Sequence, residues 1–132
     1  MTIESIAALR EVIGEPHPIT ASKKTSLLTE EAINFIARAP LVIMTTVSSD
    51  YGLDASPKGD APGFVQVVDE QTVLVPDRPG NKLADGHLNV LQTGRVGLIF
   101  LVPNARETLR LSGIATLTAE PALLENCAAR GK

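Results

Sequence analysis

The chain has 132 residues, 44% of them hydrophobic and 20% charged, with a net charge of −3. This is the size and balance of one ordinary globular domain. The missing basic block argues against general nucleic-acid binding, and no run approaches the ~18 apolar residues of a transmembrane helix. The N-terminus has no basic stretch leading into an apolar one, so it does not read as a signal peptide. The single cysteine, Cys127, excludes an internal disulfide framework and suits a reducing cytoplasm. With three Phe, one Tyr and no Trp, the core has to be built from Leu, Val and Ile.

In chain order, Ile6, Leu9 and Ile13 fall at helical spacing and Gly14 stops the pattern, which predicts a short amphipathic helix. Pro16 and Pro18 open a polar connector that contains the solvated pair Lys23 and Lys24. Thr29 is an N-cap for a second helix: Glu30 and Glu31 suit the positive end of its dipole, Ile33, Ile36 and Ala37 give its inner stripe, and Pro40 ends it. From residue 41 the texture is β. Residues 41–47 are apolar and β-branched, 48–52 read as a hairpin turn, and 53–56 begin a return strand. Residues 56–63 read as a shaped Gly/Pro loop. A strand at 64–68, a turn at 69–71 and a strand at 72–75 follow.

Residues 76–82 form a turn and residues 83–92 a helical pattern, with Gly94 as its C-cap. The run 96–102 is wholly apolar, which predicts a strand buried on both faces. Residues 108–117 alternate, and Gly113 interrupts them as a bulge or barrel corner would. The tail from 121 has a helical turn or two. About six short, mostly antiparallel strands with one inserted helix predict a small β-barrel, mainly β in an α+β frame, with peripheral helices.

The turn at 76–82 carries the chemistry. Arg78, Gly80, Asn81 and Lys82 stand where a strand gives way to a helix, so that cationic side chains, backbone N–H groups and a helix N-terminus meet. A phosphate can be held there. A plain Pro/Gly turn capped by Asn81 explains the same residues. The loop Ser56-Pro57-Lys58-Gly59-Asp60 also has two readings, a shaped ligand loop or an ordinary hairpin end. His17 and His87 lie far apart without carboxylate or Cys at metal-ligand spacing, and His87 reads as a surface residue of the inserted helix. No nucleophile elbow appears, so neither a catalytic nor a metal site is assigned. Arg106, Glu107 and Arg110 form a strand-end charge cluster, from which Arg110 could line a groove.

Taken together, Ser56-Pro57-Lys58-Gly59-Asp60, Pro62-Gly63-Phe64, Pro76-Asp77-Arg78-Pro79-Gly80-Asn81, Arg95-Val96-Gly97-Leu98-Ile99-Phe100 and Glu107-Thr108-Leu109-Arg110-Leu111-Ser112-Gly113 resemble the pyridoxamine 5′-phosphate oxidase-like FMN-binding split-barrel family. The likeness is strongest to the subgroup with the SPRGD…PDRPGN signature and spans residues 29–117. It implies a split barrel at 29–119, preceded by a helix and connector (1–28) and followed by a tail (120–132) that stops before the apolar strand and Cys-containing segment with which relatives continue.

The resemblance further implies a homodimer with FMN at the subunit interface. Asn81 and Lys82 would contact the FMN phosphate, and Asp77 and Arg78 would border the phosphate or ribityl chain. Ser56, Lys58, Gly59 and Asp60 would approach the flavin from the other loop. Thr108 would supply a polar group, from the partner subunit in one arrangement, with Arg110 beside it. Lys58 stands where the subgroup often has Arg, and a lysine is a point charge without the bidentate fork.

An FMN-dependent oxidoreductase acting on a small molecule, with NADH or NADPH as donor, is the expected function. The alternatives are a non-catalytic carrier of flavin, heme or deazaflavin, and a vestigial dimeric scaffold. No substrate-phosphate site is recognisable that would favour pyridoxamine phosphate as substrate.

Overall fold

The structure is a computed structural model that describes residues 2–18, 25–77 and 85–123. Three helices are defined in them: α1 (Ile6–Ile13), α2 (Glu30–Arg38) and α3 (Asp85–Thr93). The strands are β1 (Leu41–Val47), β2 (Leu53–Gly59), β3 (Gln66–Asp69), β4 (Thr72–Leu74), β5 (Arg95–Leu101) and β6 (Leu109–Ile114). Four of them form an antiparallel sheet in the order β2-β1-β5-β6, and β3-β4 make a separate hairpin. The fold is therefore α+β with six antiparallel strands split between two sheets. The strands do not close into a continuous barrel among the described residues.

Alternation along the strands gives the large sheet two faces. Val42, Met44 and Thr46 of β1 share one face with Val96, Leu98 and Phe100 of β5, because Val42 pairs with Phe100, Met44 with Leu98 and Thr46 with Val96. This inner face is the core. Val42 and Phe100 are fully buried, and Phe35, Ile36, Ala39, Val65 and Leu98 complete the cluster. The stripe of α2 that reaches it is Phe35, Ile36 and Ala39, while Ala37 is exposed. The buried stripe thus falls at i, i+1 and i+4 from Phe35, with the expected Ile33 only half-buried. Thr29 caps this helix, its Oγ1 accepting the Ala32 N–H at 3.1 Å, and the Arg38 guanidinium lies 5.4 Å over the Phe35 ring. In contrast, α1 buries none of its residues.

The outer face carries Leu41, Ile43, Ile99 and Leu101, all half-buried. Leu53 (85% exposed) and Ile114 (78%) stand on the edge strands. The apolar run in β5 is therefore central in the sheet, and among the described residues its inner face is buried and its outer face half-buried. Two further expectations change. Residues 56–59 belong to β2 rather than to a loop, and Pro57 pairs with Ile43. A proline is tolerated there because β2 is an edge strand, so its missing N–H breaks no second ladder. Gly113 pairs with Val96 in an unbroken register, with no bulge; the irregularity lies instead between Val67 and Asp69.

Gly63 is fixed by its backbone. Its φ is +81°, and a Cβ there would sit 2.9 Å from the Ala37 carbonyl oxygen at the end of α2. Gly63→Ala is expected to destabilise by about 1–3 kcal/mol. Gly113→Ala, which would meet nothing within 4 Å, is expected to be neutral or slightly stabilising. Urea denaturation of the two variants checks the contrast.

Candidate functional site

The pairing that fixes the core also aims β2. Lys58 pairs with Val42, Ser56 with Met44 and Asp54 with Thr46. Asp54, Ser56 and Lys58 are the half-buried members of an otherwise exposed strand and stand in one row on the inner face. Two elements meet this row. At its upper end α3 packs across β1 and β2, and at its lower end the chain leaves β4 through Asp77.

Polar bonds tie α3 down. Asn89 Nδ2 donates to Thr46 Oγ1 at 3.0 Å, with both residues buried. Thr93 Oγ1 donates to the Val47 carbonyl at 2.8 Å. The Ser49 N–H donates to Gln92 Oε1 at 2.9 Å, which fixes the helix to the β1–β2 turn. That turn is closed by Ser48 N–H to the Gly52 carbonyl at 2.8 Å. The Ser48 hydroxyl donates to Asp50 and holds its carboxyl below the ordinary value of 3.8. Gly94 ends α3 with φ +68° and donates to the Val90 carbonyl at 2.8 Å, the C-cap its sequence predicts. Between helix and turn lies a cleft lined by Ser48, Leu53, Asp54, Asp85, Leu88 and Gln92, among others.

Below the cleft is a charge cluster. Lys58 Nζ lies 2.9 Å from Asp77 Oδ1, and His87 Nε2 lies 3.2 Å from Asp77 Oδ2. The Lys58 side chain is only 20% exposed. Its stem is buried along the strand, and its ammonium is held where β2, the exit of β4 and the first turns of α3 come together. Gly86 faces Asp54 and Thr46, where a Cβ would make only ordinary van der Waals contact, 3.6 Å from Asp54 Oδ2 and 3.9 Å from Thr46 Oγ1.

Of the residues singled out in the sequence, Lys58 and Asp77 are therefore in contact, with Ser56 in the same row. Gly59 faces the outer side. The Asp60 N–H donates to the Pro40 carbonyl at 3.1 Å, and its Oδ1 accepts the Ala61 N–H at 2.8 Å. Arg78, Asn81 and Lys82 lie outside the described residues. Thr108 and Arg110 are exposed at the opposite edge. Arg110 pairs with Ile99, which puts it on the outer face, roughly 14 Å from β2 at ~4.8 Å per strand. Within one chain they do not join Lys58.

His87, expected at the surface of the inserted helix, is half-buried against Asp77; the Thr46–Asn89 pair has no signal in the sequence. Reading Pro57 as an edge-strand residue would have extended β2 and put Asp54, Ser56 and Lys58 on one face. Nothing local to His87 announces Asp77, which is ten residues earlier in the sequence. Among the described residues, no group of three His, Cys, Asp or Glu could hold a metal ion.

A sequence model of the family described as pyridoxamine 5′-phosphate oxidase matches residues 28–132. The chain belongs to this family. Its members are generally flavin-binding, and FMN-dependent oxidoreductases are among them. No curated protein matches the chain significantly. Two crystal structures of HupZ from Group A Streptococcus, one of a single-residue variant, share the fold at a TM-score of 0.59 and 19% identity. The matches cover 76% and 75% of this chain and 78% and 73% of theirs. At that identity the likeness is one of fold.

The donor set fits a phosphate monoester in part. Lys58 offers a charge-assisted contact of the kind such a group takes, and His87 adds a second nitrogen. Asp77 is an acceptor that must be satisfied by these same groups. The described residues bring an ammonium, an imidazole and a carboxylate together at this corner.

Thr46→Val removes the acceptor of the buried Asn89 amide while keeping the shape. The variant is expected to lose about 1–3 kcal/mol of stability, whereas Thr46→Ser keeps most of it; guanidinium denaturation distinguishes them.

Proposed function

We propose that this protein is an FMN-binding flavoprotein of the SPRGD…PDRPGN subgroup, a cytoplasmic homodimer that works as an FMN-dependent oxidoreductase on a small molecule. The observation that carries the reading is the half-buried Lys58 ammonium beside Asp77, at the junction of β2 with the segment leading into α3, in a chain of a generally flavin-binding family. FMN, when bound, supplies the two-electron chemistry. The task of the chain is to bind and orient it. Lys58, Lys82, Arg78 and Asn81 hold the phosphate by charge-assisted hydrogen bonds, and Asp77 keeps Lys58 in place. Ser56 with Gly59 and Asp60 borders the flavin along β2.

The outer sheet face supports the dimer. Leu41, Ile43, Ile99 and Leu101 form an apolar surface flanked by the exposed Leu53 and Ile114, and apolar area of this kind gains by burial against a second copy. Arg110 on the edge strand β6, and Thr108 just before it, belong to the flavin site only through such a copy. NADH or NADPH is the expected electron donor.

Lys58→Ala, Asn81→Ala and Lys82→Ala are each expected to weaken FMN binding by about 1.5–3 kcal/mol and to leave folding nearly intact. Flavin-fluorescence titration measures the loss, with light scattering showing a complex of twice 14.0 kDa. Unchanged affinity in all three variants would remove the phosphate assignment. FMN retention without turnover by NADH or NADPH would make the protein a carrier rather than an enzyme.

A further inference from the structure

The helix α1 has eight residues, and helices shorter than about 12–15 residues are marginal in water without a surface to pack on. It buries none of its residues, although Ser5 caps it by accepting the Ala8 N–H at 3.0 Å. Ile6, Leu9 and Ile13 make one apolar stripe, and Ile6 is 78% exposed. Beyond Gly14 the chain meets Pro16 and Pro18, and prolines make a connector extended and semi-rigid. The helix is thus an arm with an apolar face and no surface beneath it among the described residues.

The outer face of the large sheet has the complementary character. Its outward positions carry the half-buried Leu41, Ile43, Ile99 and Leu101 together with the exposed Arg95 and Arg110, and no carboxylate. Two such faces packed on each other would set arginines against arginines with nothing to neutralise them. The arm has the opposite sign: residues 3–15 hold three glutamates and one arginine. That arginine, Arg10, lies 3.7 Å from Glu15, whose side chain is still 79% exposed. The dimensions agree as well. Arg110 pairs with Ile99, four residues along β5 from Arg95, so the two arginines are rooted roughly 14 Å apart at ~3.4 Å per residue. The helix is about 12 Å long at 1.5 Å per residue, and Glu4 and Glu15 stand just beyond its two ends.

We propose that α1 of one copy lies on the outer sheet face of a second copy, so that the two arms are exchanged and each sheet is covered by its partner's helix. The stripe of Ile6, Leu9 and Ile13 packs on Ile43, Ile99 and Leu101, and the glutamates at the helix ends face Arg95 and Arg110. Exchange of an identical element is a low-cost route to a dimer. Apolar burial supplies the affinity, and the charges fix the direction in which the helix lies. A guanidinium has five N–H donors, so Arg110 serves the arm and the flavin edge together. This inference rests on the homodimer of the reading above and names the element that completes its interface.

Cross-linking in the full chain tests it. On a Cys127→Ser background, Val12→Cys marks the arm beside its stripe and Ser112→Cys marks the outer row of β6; both positions are exposed. A short bismaleimide added to a mixture of the two variants is expected to give a two-chain product. The doubly substituted chain is expected to give the same product and no link within one chain. A link within one chain, with none in the mixture, overturns the exchange. Absence of both links in a protein that still scatters light as a dimer overturns the seat of α1 and leaves the dimer standing. Ile6→Asp gives a second reading by sedimentation: the dimer dissociation constant is expected to rise about tenfold or more, with the sheet intact by circular dichroism, and an unchanged constant overturns the proposal. Wild type that behaves as a single 14.0 kDa chain at every concentration overturns this inference together with the homodimer.

Discussion

The register of β1 is the constraint on which the rest depends. Val42 and Phe100, paired across the strand boundary and fully buried, decide which face of the large sheet turns inward. Side chains alternate, so a slip of one residue would send the whole set to the other face. Alanine in place of Phe100 would forfeit a well-packed aromatic side chain, a change that costs about 3–5 kcal/mol in typical cores. Every later feature is referenced to that choice. Lys58 points inward because it pairs with Val42, and Thr46 meets α3 because it lies two alternations along the same row.

The two sides of the sheet have different tasks. Inside, α2 and the β3–β4 hairpin cover the apolar half, and α3 covers the polar half through Asn89, Thr93 and Gln92. A helix attached mainly by side-chain hydrogen bonds rather than by apolar burial can hold its first turn close to β2 while leaving a cleft beside it. Such buried polar pairs add geometry more than net stability, because their desolvation offsets much of what they gain. Outside, the sheet presents apolar residues that one chain alone leaves half-covered. The same strands thus carry a polar corner on one face and an apolar surface on the other.

Much of this was legible from the residues. The helix caps at Thr29 and Gly94, the hairpin at 48–52 and the bounds of β1 follow from local chemistry, which acts over a few residues and leaves its mark in composition. The misread places share a cause: they depend on neighbours that sequence does not name. Pro57 looks like a loop residue until β2 is known to be an edge. The apolar run of β5 looks doubly buried because its outer face, half-buried among the described residues, has the composition of a core. Gly113 looks like a bulge until β5 is seen to pair straight past it. In the site, Lys58 and Asp77 came out of motif resemblance, and the structure brings them together. His87 could not be found this way, because its partnership with Asp77 is made by the packing of α3 and by no periodicity. Arg78, Asn81 and Lys82 lie outside the described residues, so their part in the site rests on the sequence.

The central claim is that the corner formed by β2, the exit of β4 and α3 holds FMN. The visible absorption spectrum of the purified protein, after addition of FMN and exhaustive dialysis, tests it most directly. Retained flavin bands, shifted from those of free FMN and close to one per chain, are the predicted result. A colourless protein after dialysis, with free-flavin bands in the dialysate, would contradict the account and leave a split-barrel scaffold whose ligand is something else.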